Sequence, residues 1–289
     1  MTHTVEVSTI DPALVAAADA AARTAAERAG LRVVELAGVA AHEAAVDLLC
    51  GIWSAKSADD LVNVSLLRAL EHSGNYVAGA YAGDRLVGAA VAFFGAGHLH
   101  SHITGVDRDT QARGIGYALK QHQRAWTLHR GLTRVCWTFD PLVRRNAHVN
   151  LAKLGATATR YLPDFYGRLD DGLNVGDVSD RLHVDWPLDS AAAVAASGGS
   201  PHLVDPGHAV DLVDCVGDEP VTTGRVSFDA GPLLVAVPPD IEGLRRDRPE
   251  VAGRWRRAVR DALLAAFDAG YVITGVTADG RYLLERAGR

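Results

Sequence analysis

Residues 98–130, HLHSHITGVDRDTQARGIGYALKQHQRAWTLHR, set the architecture of this chain. His98–Val106 alternates as strands do, and Ile115–Arg130 has the pattern of a helix. Between them lies the turn Gln111-Ala112-Arg113-Gly114-Ile115-Gly116. Glycine lets a ligand approach the backbone closely, and the first N–H groups of a helix have no partner within that helix. The segment therefore predicts an anion-binding turn between a strand and a helix.

Two nucleotide-binding motifs compete with this interpretation. A Walker A loop requires GxxxxGK[ST], which the chain lacks, and a Rossmann fingerprint requires a third glycine where the chain has Leu119. We therefore interpret the turn as a site for the pyrophosphate of a coenzyme A thioester. The alternative is an ordinary tight turn between strand and helix, because a single GxG is a weak motif.

Size and charge limit the class of protein. The chain has 289 residues, 48% of them apolar, and a net charge of −6, which argues against a nucleic-acid or anionic-membrane partner. The first residues lead us to expect no secretory signal, and no apolar run approaches the ~20 residues of a bilayer span. Cys50, Cys136 and Cys215 are far apart. We expect a cytoplasmic protein with free thiols.

The order of the predicted elements indicates a mixed α/β sheet. Strands in hairpin order come first, and a strand–helix–strand–helix–strand series follows. We assign 1–30 to an N-terminal helical extension and 31–188 to the core. A linker over 189–201 and a smaller C-terminal α/β extension over 202–289 complete the predicted domains.

The turn resembles the acyl-CoA signature [Q/R]xxGx[G/A] of the GCN5-related N-acetyltransferase (GNAT) superfamily. Several longer strings resemble a subgroup of predicted acetyltransferases with a C-terminal extension. The resemblance implies a mostly antiparallel sheet whose central parallel strands splay around the coenzyme arm, with helices on its flanks. It also implies acetyl-CoA, or another short acyl-CoA, as cosubstrate. The strings are HSHITGV (100–106), ALKQHQRAW (118–126), WTFDPL (137–142), RNAHVNLAKLGA (145–156), SDRLHVDW (179–186) and WRRAVRDALLAAFDAGY (255–271).

Three groups of residues are the candidates for coenzyme binding. The resemblance implies that main-chain donors on the strand stabilise the oxyanion and that the turn binds the pyrophosphate. Two asparagines four residues apart on a predicted helix suit the pantetheine amides, with capping or surface roles as the alternative. The candidates are Thr104, Gly105 and Val106, then Gln111, Ala112, Arg113, Gly114, Ile115 and Gly116, and finally Asn146 and Asn150.

The histidines at 98, 100 and 102 share one face of a strand and are the place to look for a general base. His102 lies nearest the expected thioester, and His100 comes second. One alternative is a polar row on a wet sheet face. Another is a zinc ion shared by two of the histidines with Asp140 or His148, although we expect no metal.

The family often has a tyrosine, as acid for the thiolate, four residues before the glycine that ends its last core helix. Here Gly155 places Leu151 at that position. Among the replacements, Tyr161, Tyr166 and a water, we favour Tyr166, with packing at the sheet edge as the alternative. Asp140 is a candidate for orienting a histidine or the amine, or it caps a turn.

Trp137 and Arg181 are the candidates for acceptor binding, with Arg181 holding a carboxylate or forming a surface ion pair. Most of the charges in the run 245–260 suit a solvated helix face.

These observations predict an acyl-CoA-dependent N-acyltransferase that acts on the amine of a small molecule or amino acid by direct transfer. A succinyl-CoA-dependent amino-acid N-succinyltransferase and a non-catalytic acyl-CoA-binding module are the alternatives. A metal-dependent hydrolase that uses the histidine row is a third. We allow for a homodimer.

Overall fold

A computed structural model gives the structure of this chain and describes residues 10–55, 61–110, 113–167, 177–223 and 231–287. Gln111 and Ala112 of the predicted turn therefore lie outside the described residues. The chain divides into two compact units. The first unit comprises Met1–Cys136 with Pro187–Ser190, and the second comprises Trp137–Trp186 with Ala191–Arg289. The predicted boundary of the core at residue 188 does not coincide with this division, and the assignment of domains stays a prediction.

The first helix of this unit, α1 Pro12–Arg28, lies in the predicted N-terminal helical extension. Asp11 Oδ1 accepts a hydrogen bond from the backbone N–H of Ala13, and Pro12 occupies the first helical turn. The elements of this unit follow in chain order: α1 Pro12–Arg28, β1 Arg32–Glu35, α2 Val39–Trp53, α3 Val64–His72, β2 Tyr76–Ala82, β3 Arg85–Phe94, β4 Leu99–Val106, α4 Ile115–His129 and the first half of β5 Arg134–Phe139.

The sheet of the first unit has the strand order β1-β2-β3-β4-β5. Neighbouring strands are antiparallel up to β4, and β4 pairs with β5 in parallel. This arrangement confirms the mixed, mostly antiparallel sheet. Small residues in β3 and β4 let helices approach the sheet closely. A Cβ on Gly105 would lie 2.7 Å from Leu49 of α2, and one on Gly88 would lie 3.0 Å from Ile115 of α4.

The central parallel strands separate as the resemblance implied. The register of β4 with β5 consists of Leu99 with Val135 and His100 with Cys136. Beyond His100, β4 pairs within the described part of the first unit only with β3. The register with β3 shifts between Val91 and Ala92, so that His102 is the extra residue of a β-bulge. From Ser101 to Val106, no strand in the described part of the first unit pairs with the edge of β4 that faces away from β3.

The second unit is also α/β. Its strands follow the order β7-β6-β11-β12-β10-β8-β9, and α7 and α8 accompany them. Its elements are α5 Arg144–Ala147, which continues as a π-helix over His148–Lys153, β6 Thr157–Leu162, β7 Arg181–Pro187, α6 Ala191–Ser197, β8 Val210–Val216, β9 Glu219–Thr222, β10 Leu233–Val235, α7 Ile241–Asp247, α8 Pro249–Asp268, β11 Tyr271–Val276 and β12 Tyr282–Arg286.

Two local features of the second unit differ from the sequence-based expectation. The segment that we predicted as a linker contains the helix α6, because Ala191–Ser197 is alanine-rich and buries Ala193 and Ala196. The predicted helix Arg145–Leu154 is α-helical over only four residues and is then a π-helix. No helix in the described ranges is long and apolar enough to cross a membrane.

Candidate functional site

The N-terminus of α4 is open to a ligand. Gly114 occupies the N-cap position with φ 81°, and no side chain of the described residues caps the helix. The helix's first backbone bond runs from the N–H of Ala118 to the carbonyl of Gly114. In the described part of the chain, the N–H groups of Ile115 and Gly116 have no backbone acceptor. These donors and the positive end of the helix dipole are the groups that an anionic phosphate requires.

The glycines of the turn play different parts. Gly114 has a positive φ, which side-chain-bearing residues rarely adopt. A Cβ on Gly116 would meet only the Val106 side chain, at 3.8 Å, so the fold itself tolerates a side chain there. Gly116 therefore keeps space open beside the unpaired N–H groups. Arg113 is exposed, directly before Gly114.

Hydrogen bonds hold the chain between β4 and the turn. The N–H of Asp107 donates to the carbonyl of Val87, and the N–H of Thr110 donates to the carbonyl of Asp107 over 3.0 Å. Arg108 Nη2 donates to the carbonyl of Ile52 at the end of α2, over 2.7 Å. Hydrogen bonds therefore attach the segment before the turn both to the sheet and to α2.

Thr104, Gly105 and Val106 lie on the last part of β4, opposite Ala90, Ala89 and Gly88 of β3. The backbone groups of β4 that point away from β3 are the candidate oxyanion donors. The structure places these residues and the N-terminus of α4 in one unit, at the two ends of the segment 107–114.

The predicted histidine row contains two members. The ring centroids of His100 and His102 are 6.3 Å apart, and Phe93 on β3 lies 4.9 Å from His100 and 5.8 Å from His102. His98 precedes the strand, and its Nδ1 lies 3.1 Å from the carbonyl oxygen of Ala96 in the turn. The expectation that His98 belongs to the row is therefore wrong. Its place in the hairpin turn separates it from the other two.

His102 has the properties of a neutral base at pH 7. The ring is exposed to solvent on one side, yet desolvation by its neighbours lowers its pKa below the usual range. A histidine that is neutral at physiological pH accepts a proton.

A buried lysine beneath β4 was not predicted. Lys120 Nζ on α4 donates to Ser101 Oγ over 2.8 Å and to Gln123 Oε1 over 3.1 Å. Burial lowers the pKa of Lys120 to about 7. The helical pattern alone could have placed Lys120 on the inner face, but lysine at such a position is usually interpreted as solvated.

The other candidates belong to the second unit, and Asp140 is the most constrained of them. It lies directly after β5, and its Oδ1 accepts from the backbone N–H of Leu142 over 3.0 Å. Arg256 donates to Asp140 over 2.9 and 3.1 Å, and Arg245 is a second partner. Burial alone would raise the pKa of Asp140, but the two arginines hold it well below its usual range. We therefore do not carry Asp140 into the proposed mechanism.

The structure separates the two tyrosine candidates. Tyr161 donates from its hydroxyl to Asp180 Oδ2 over 2.5 Å, and burial raises its pKa well above the usual range. Tyr166 is 41% exposed, and its hydroxyl lies 3.1 Å from Thr138 Oγ1. The Tyr166 hydroxyl is therefore accessible, whereas the Tyr161 hydroxyl is hydrogen-bonded to Asp180.

Arg181 is buried, and its guanidinium makes few polar contacts with the described residues. Its Nη1 donates to the backbone carbonyl of Asp180 over 2.9 Å, and its guanidinium carbon lies 5.3 Å from the centroid of the Tyr166 ring. Among the described residues no carboxylate forms an ion pair with it, and burial lowers its pKa. A buried guanidinium without a carboxylate partner favours an anionic ligand.

The remaining predicted candidates are Trp137, Asn146 and Asn150. Trp137 is buried, with its ring edge-on to Trp186 at 5.9 Å. Asn146 is exposed on α5, whereas Asn150 is buried within the π-helix, so the spacing assumed for one regular α-helix does not apply to them. Leu151, at the position of the family's tyrosine, is fully buried. The described residues contain no group of three or more His, Cys, Asp or Glu side chains placed to hold a metal ion.

Comparison with known proteins shows what this segment is similar to. Residues 43–156 match the model of the acetyltransferase (GNAT) family. The ribosomal-protein-S18-alanine N-acetyltransferase from Escherichia coli is 15% identical, with a TM-score of 0.45 over 56% of this chain and 96% of its own. A GNAT family acetyltransferase from Elizabethkingia anophelis with acetyl-CoA bound is 13% identical, with a TM-score of 0.44 over 55% and 99%.

No curated protein matches the chain. The family match covers α2 to the end of the π-helix and includes β4, the turn and α4. Over residues 43–156, which are less than half of the chain, the sequence is similar to the GNAT acetyltransferase family.

Proposed function

We propose that this chain is an acyl-CoA-dependent N-acyltransferase that transfers an acetyl group to the amine of a small molecule or an amino acid. The observation that carries the proposal is the N-terminus of α4 at Gly114, which no described side chain caps, next to the edge of β4 over 101–106 that pairs with no described strand of the first unit. Both features lie in the segment that matches the GNAT family. The pyrophosphate would bind the N–H groups of residues 115 and 116, and the thioester would lie along Ser101–Val106.

The transfer we propose proceeds in one ternary complex. The amine nitrogen attacks the thioester carbonyl, and backbone N–H groups of β4 stabilise the oxyanion that forms. The nitrogen becomes far more acidic as the C–N bond forms, and His102 accepts its proton. The C–S bond then breaks, and the thiolate of coenzyme A takes up a proton. Tyr166, with its accessible hydroxyl, stays our candidate for that acid.

The acceptor we favour carries a carboxylate. Arg181 supports this choice, because the ion pairs of the described residues around it are already balanced. Arg245 and Arg256 pair with Asp140 and Asp177, and Arg260 pairs with Asp180 over 2.6 Å. Arg181 then contributes one unneutralised positive charge, which a carboxylate would neutralise. Trp137 stays a prediction for acceptor binding, and so do the assignments of Asn146 and Asn150 to the pantetheine arm. A cytoplasmic location and a homodimer also stay predictions.

Two measurements on the full chain test the proposal. Calorimetry with acetyl-CoA tests donor binding, and succinyl-CoA run in parallel tests the succinyltransferase alternative. Release of free coenzyme A is then followed with a panel of amines and amino acids. We expect heat with an acyl-CoA and thiol release with at least one acceptor. Heat without release from any acceptor would favour the binding module, and absence of heat with either donor would refute the proposal.

A further inference from the structure

Helices α2 and α4 cover opposite faces of the sheet at β4. Gly88 of β3 and Val106 of β4 are register partners and therefore share a face. A Cβ on Gly88 would lie 3.0 Å from Ile115, so this is the face that α4 covers. Gly105 precedes Val106 and points to the other face. A Cβ on Gly105 would lie 2.7 Å from Leu49, so that face is covered by α2.

The alternation of β4 reverses at His102. In a regular strand, residues four apart point to the same face of the sheet. Ser101 points to the face of α4, because its Oγ is hydrogen-bonded to Lys120 of that helix. Gly105, four residues later, points to the face of α2. Because His102 is the extra residue of the bulge, it shifts the alternation by one residue and accounts for the change of face.

The bulge decides which face the His102 ring occupies. The ring centroid lies 5.8 Å from that of Phe93 and 6.3 Å from that of His100, and these two residues are register partners. His100 precedes Ser101 and therefore points away from α4. Ile103 packs against the apolar cluster that includes residues of α2. Regular alternation backward from Ile103 would turn His102 toward α4, so the observed position of the candidate base depends on the bulge.

A buried hydrogen bond fixes the residue before the bulge. Ser101 and Lys120 are 4% and 8% exposed. Lys120 Nζ donates to Ser101 Oγ over 2.8 Å and to Gln123 Oε1 over 3.1 Å. If β4 lost the bulge, or carried it before Ser101, the Oγ would turn toward α2 and the Lys120 amine would lose this partner. Because a buried polar group that loses its partner is costly, the bond opposes any such change.

We propose that Ser101 and Lys120 are positioning residues for the acyl transfer. Their hydrogen bond fixes the bulge of β4, and the bulge holds the His102 ring on the face away from α4, beside the edge along which the thioester would lie. In this role neither side chain contacts the reacting atoms, and both act through His102. The inference rests on the proposed function, because it assigns the two residues to the placement of the base in that reaction.

Steady-state kinetics of the full chain tests this role, with release of coenzyme A from acetyl-CoA and a responsive acceptor as the readout. Ser101→Ala should lower kcat about tenfold or more, because the base is displaced, and should leave the affinity for acetyl-CoA unchanged in calorimetry. Ser101→Thr keeps a hydroxyl and should recover most of the rate. Ser73→Ala removes an exposed hydroxyl that donates to the carbonyl of Ala69 on α3. It is the matched control and should keep the rate of the parent.

Two double variants separate positioning from a general loss of structure. His102→Gln should slow turnover, and adding Ser101→Ala should then cost no further rate, because the serine acts only through the histidine. Ser101→Ala/Lys120→Met should be no slower than the slower of its single variants, because both substitutions remove the same bond. Losses that multiply in either pair would overturn the proposal.

The position of the His102 ring can also be measured without turnover. The ring current of Phe93, 5.8 Å away, affects the NMR signals of the His102 ring protons, and the loss of these signals in His102→Gln identifies them. We expect the signals to move in Ser101→Ala and in Lys120→Met, and to stay in Ser73→Ala. Unchanged signals in both variants, or the parent's rate in both, would overturn the proposal.

Failure of the proposed function has a different signature. A parent chain that binds acetyl-CoA but releases no coenzyme A with any acceptor would refute the acyltransferase proposal. The NMR signals of His102 would still decide whether the bond between Ser101 and Lys120 holds the ring in place.

Discussion

Lys120 Nζ on α4 donates a hydrogen bond over 2.8 Å to Ser101 Oγ, directly before the bulge of β4. The pair joins the helix that carries the anion-binding turn to the strand that carries the candidate base. Burial lowers the pKa of Lys120 to about 7, whereas a lysine in an unfolded chain has a pKa near 10.4. The amine therefore couples the stability of this region to pH.

Replacing Lys120 by Met should change how stability depends on pH. Between about pH 7 and about pH 10 the unfolded parent chain binds a proton that the folded chain does not, so its free energy of unfolding rises with pH. The variant lacks this contribution. Over that pH range the parent's free energy of unfolding should therefore rise relative to the variant's by up to about 4 kcal/mol.

Urea unfolding at about pH 6 and about pH 9 should capture about 2 to 3 kcal/mol of this shift. Lys153→Met, which replaces an exposed lysine, is the control and should show almost no such dependence. A parent and a Lys120→Met variant with parallel stability curves would contradict a buried, readily deprotonated amine.

The strand, turn and helix of residues 98–130 could be predicted because their signals are local. Alternation defines β4, and Gly114 and the pattern after it define the start of α4. The position of His98 could not be read in this way, because the turn at Gly95–Ala96 removes it from the strand. The bulge at His102 depends on the partner strand, so β4 alone does not reveal it.

The charged run 245–260 shows the limit of sequence analysis more clearly. The prediction of a solvated face is wrong for Arg245 and Arg256, which are 9% and 3% exposed. Their partners are Asp140 and Asp177, which lie 68 to 116 residues earlier in the chain. A helical pattern counts each arginine as polar, and only the fold brings the carboxylates to them. Sequence analysis missed these ion pairs of the second unit for the same reason.

Gly116→Ala should weaken donor binding without weakening the fold. The methyl group has room beside Val106 at 3.8 Å, but it would occupy the space through which a phosphate reaches the N–H groups of α4. We expect acetyl-CoA affinity, measured by calorimetry, to fall about tenfold or more, with an unchanged unfolding midpoint. Unchanged affinity would show that the pyrophosphate does not bind at this turn.

Gly114→Ala should behave differently. Its φ of 81° imposes a strain of about 1 to 2 kcal/mol on a residue with a side chain. We expect thermal unfolding at a lower temperature together with weaker acetyl-CoA binding. Gly74→Ala has a similar φ of 77° and lies outside the turn, so it should show the loss of stability alone. Weaker donor binding in Gly74→Ala would mean that the strain, and not its place in the turn, is responsible.

His102→Gln should slow turnover and leave donor binding intact. Loss of a general base costs roughly 10² to 10⁴ in rate. Because the pKa of His102 is lowered, the parent's rate should rise with pH through a value below about 6.5, and this rise should vanish in the variant. The measurement is coenzyme A release against pH with a responsive acceptor. His98→Gln is the matched control, and the base is elsewhere if His102→Gln keeps both the rate and the pH profile of the parent.

Asp140→Asn should destabilise the second unit by about 3 to 5 kcal/mol, because it leaves Arg256 buried without its carboxylate partner. The pKa of Asp140 is held below its usual range, so the parent gains this stability above about pH 4 and loses it as pH falls. The loss of stability in Asp140→Asn should therefore be large at neutral pH and shrink in acid. Denaturant unfolding checks this, with the exposed Asp268→Asn as control. If the variant were as stable as the parent but inactive, Asp140 would act in the reaction, and its ion pairs would not be what holds this unit together.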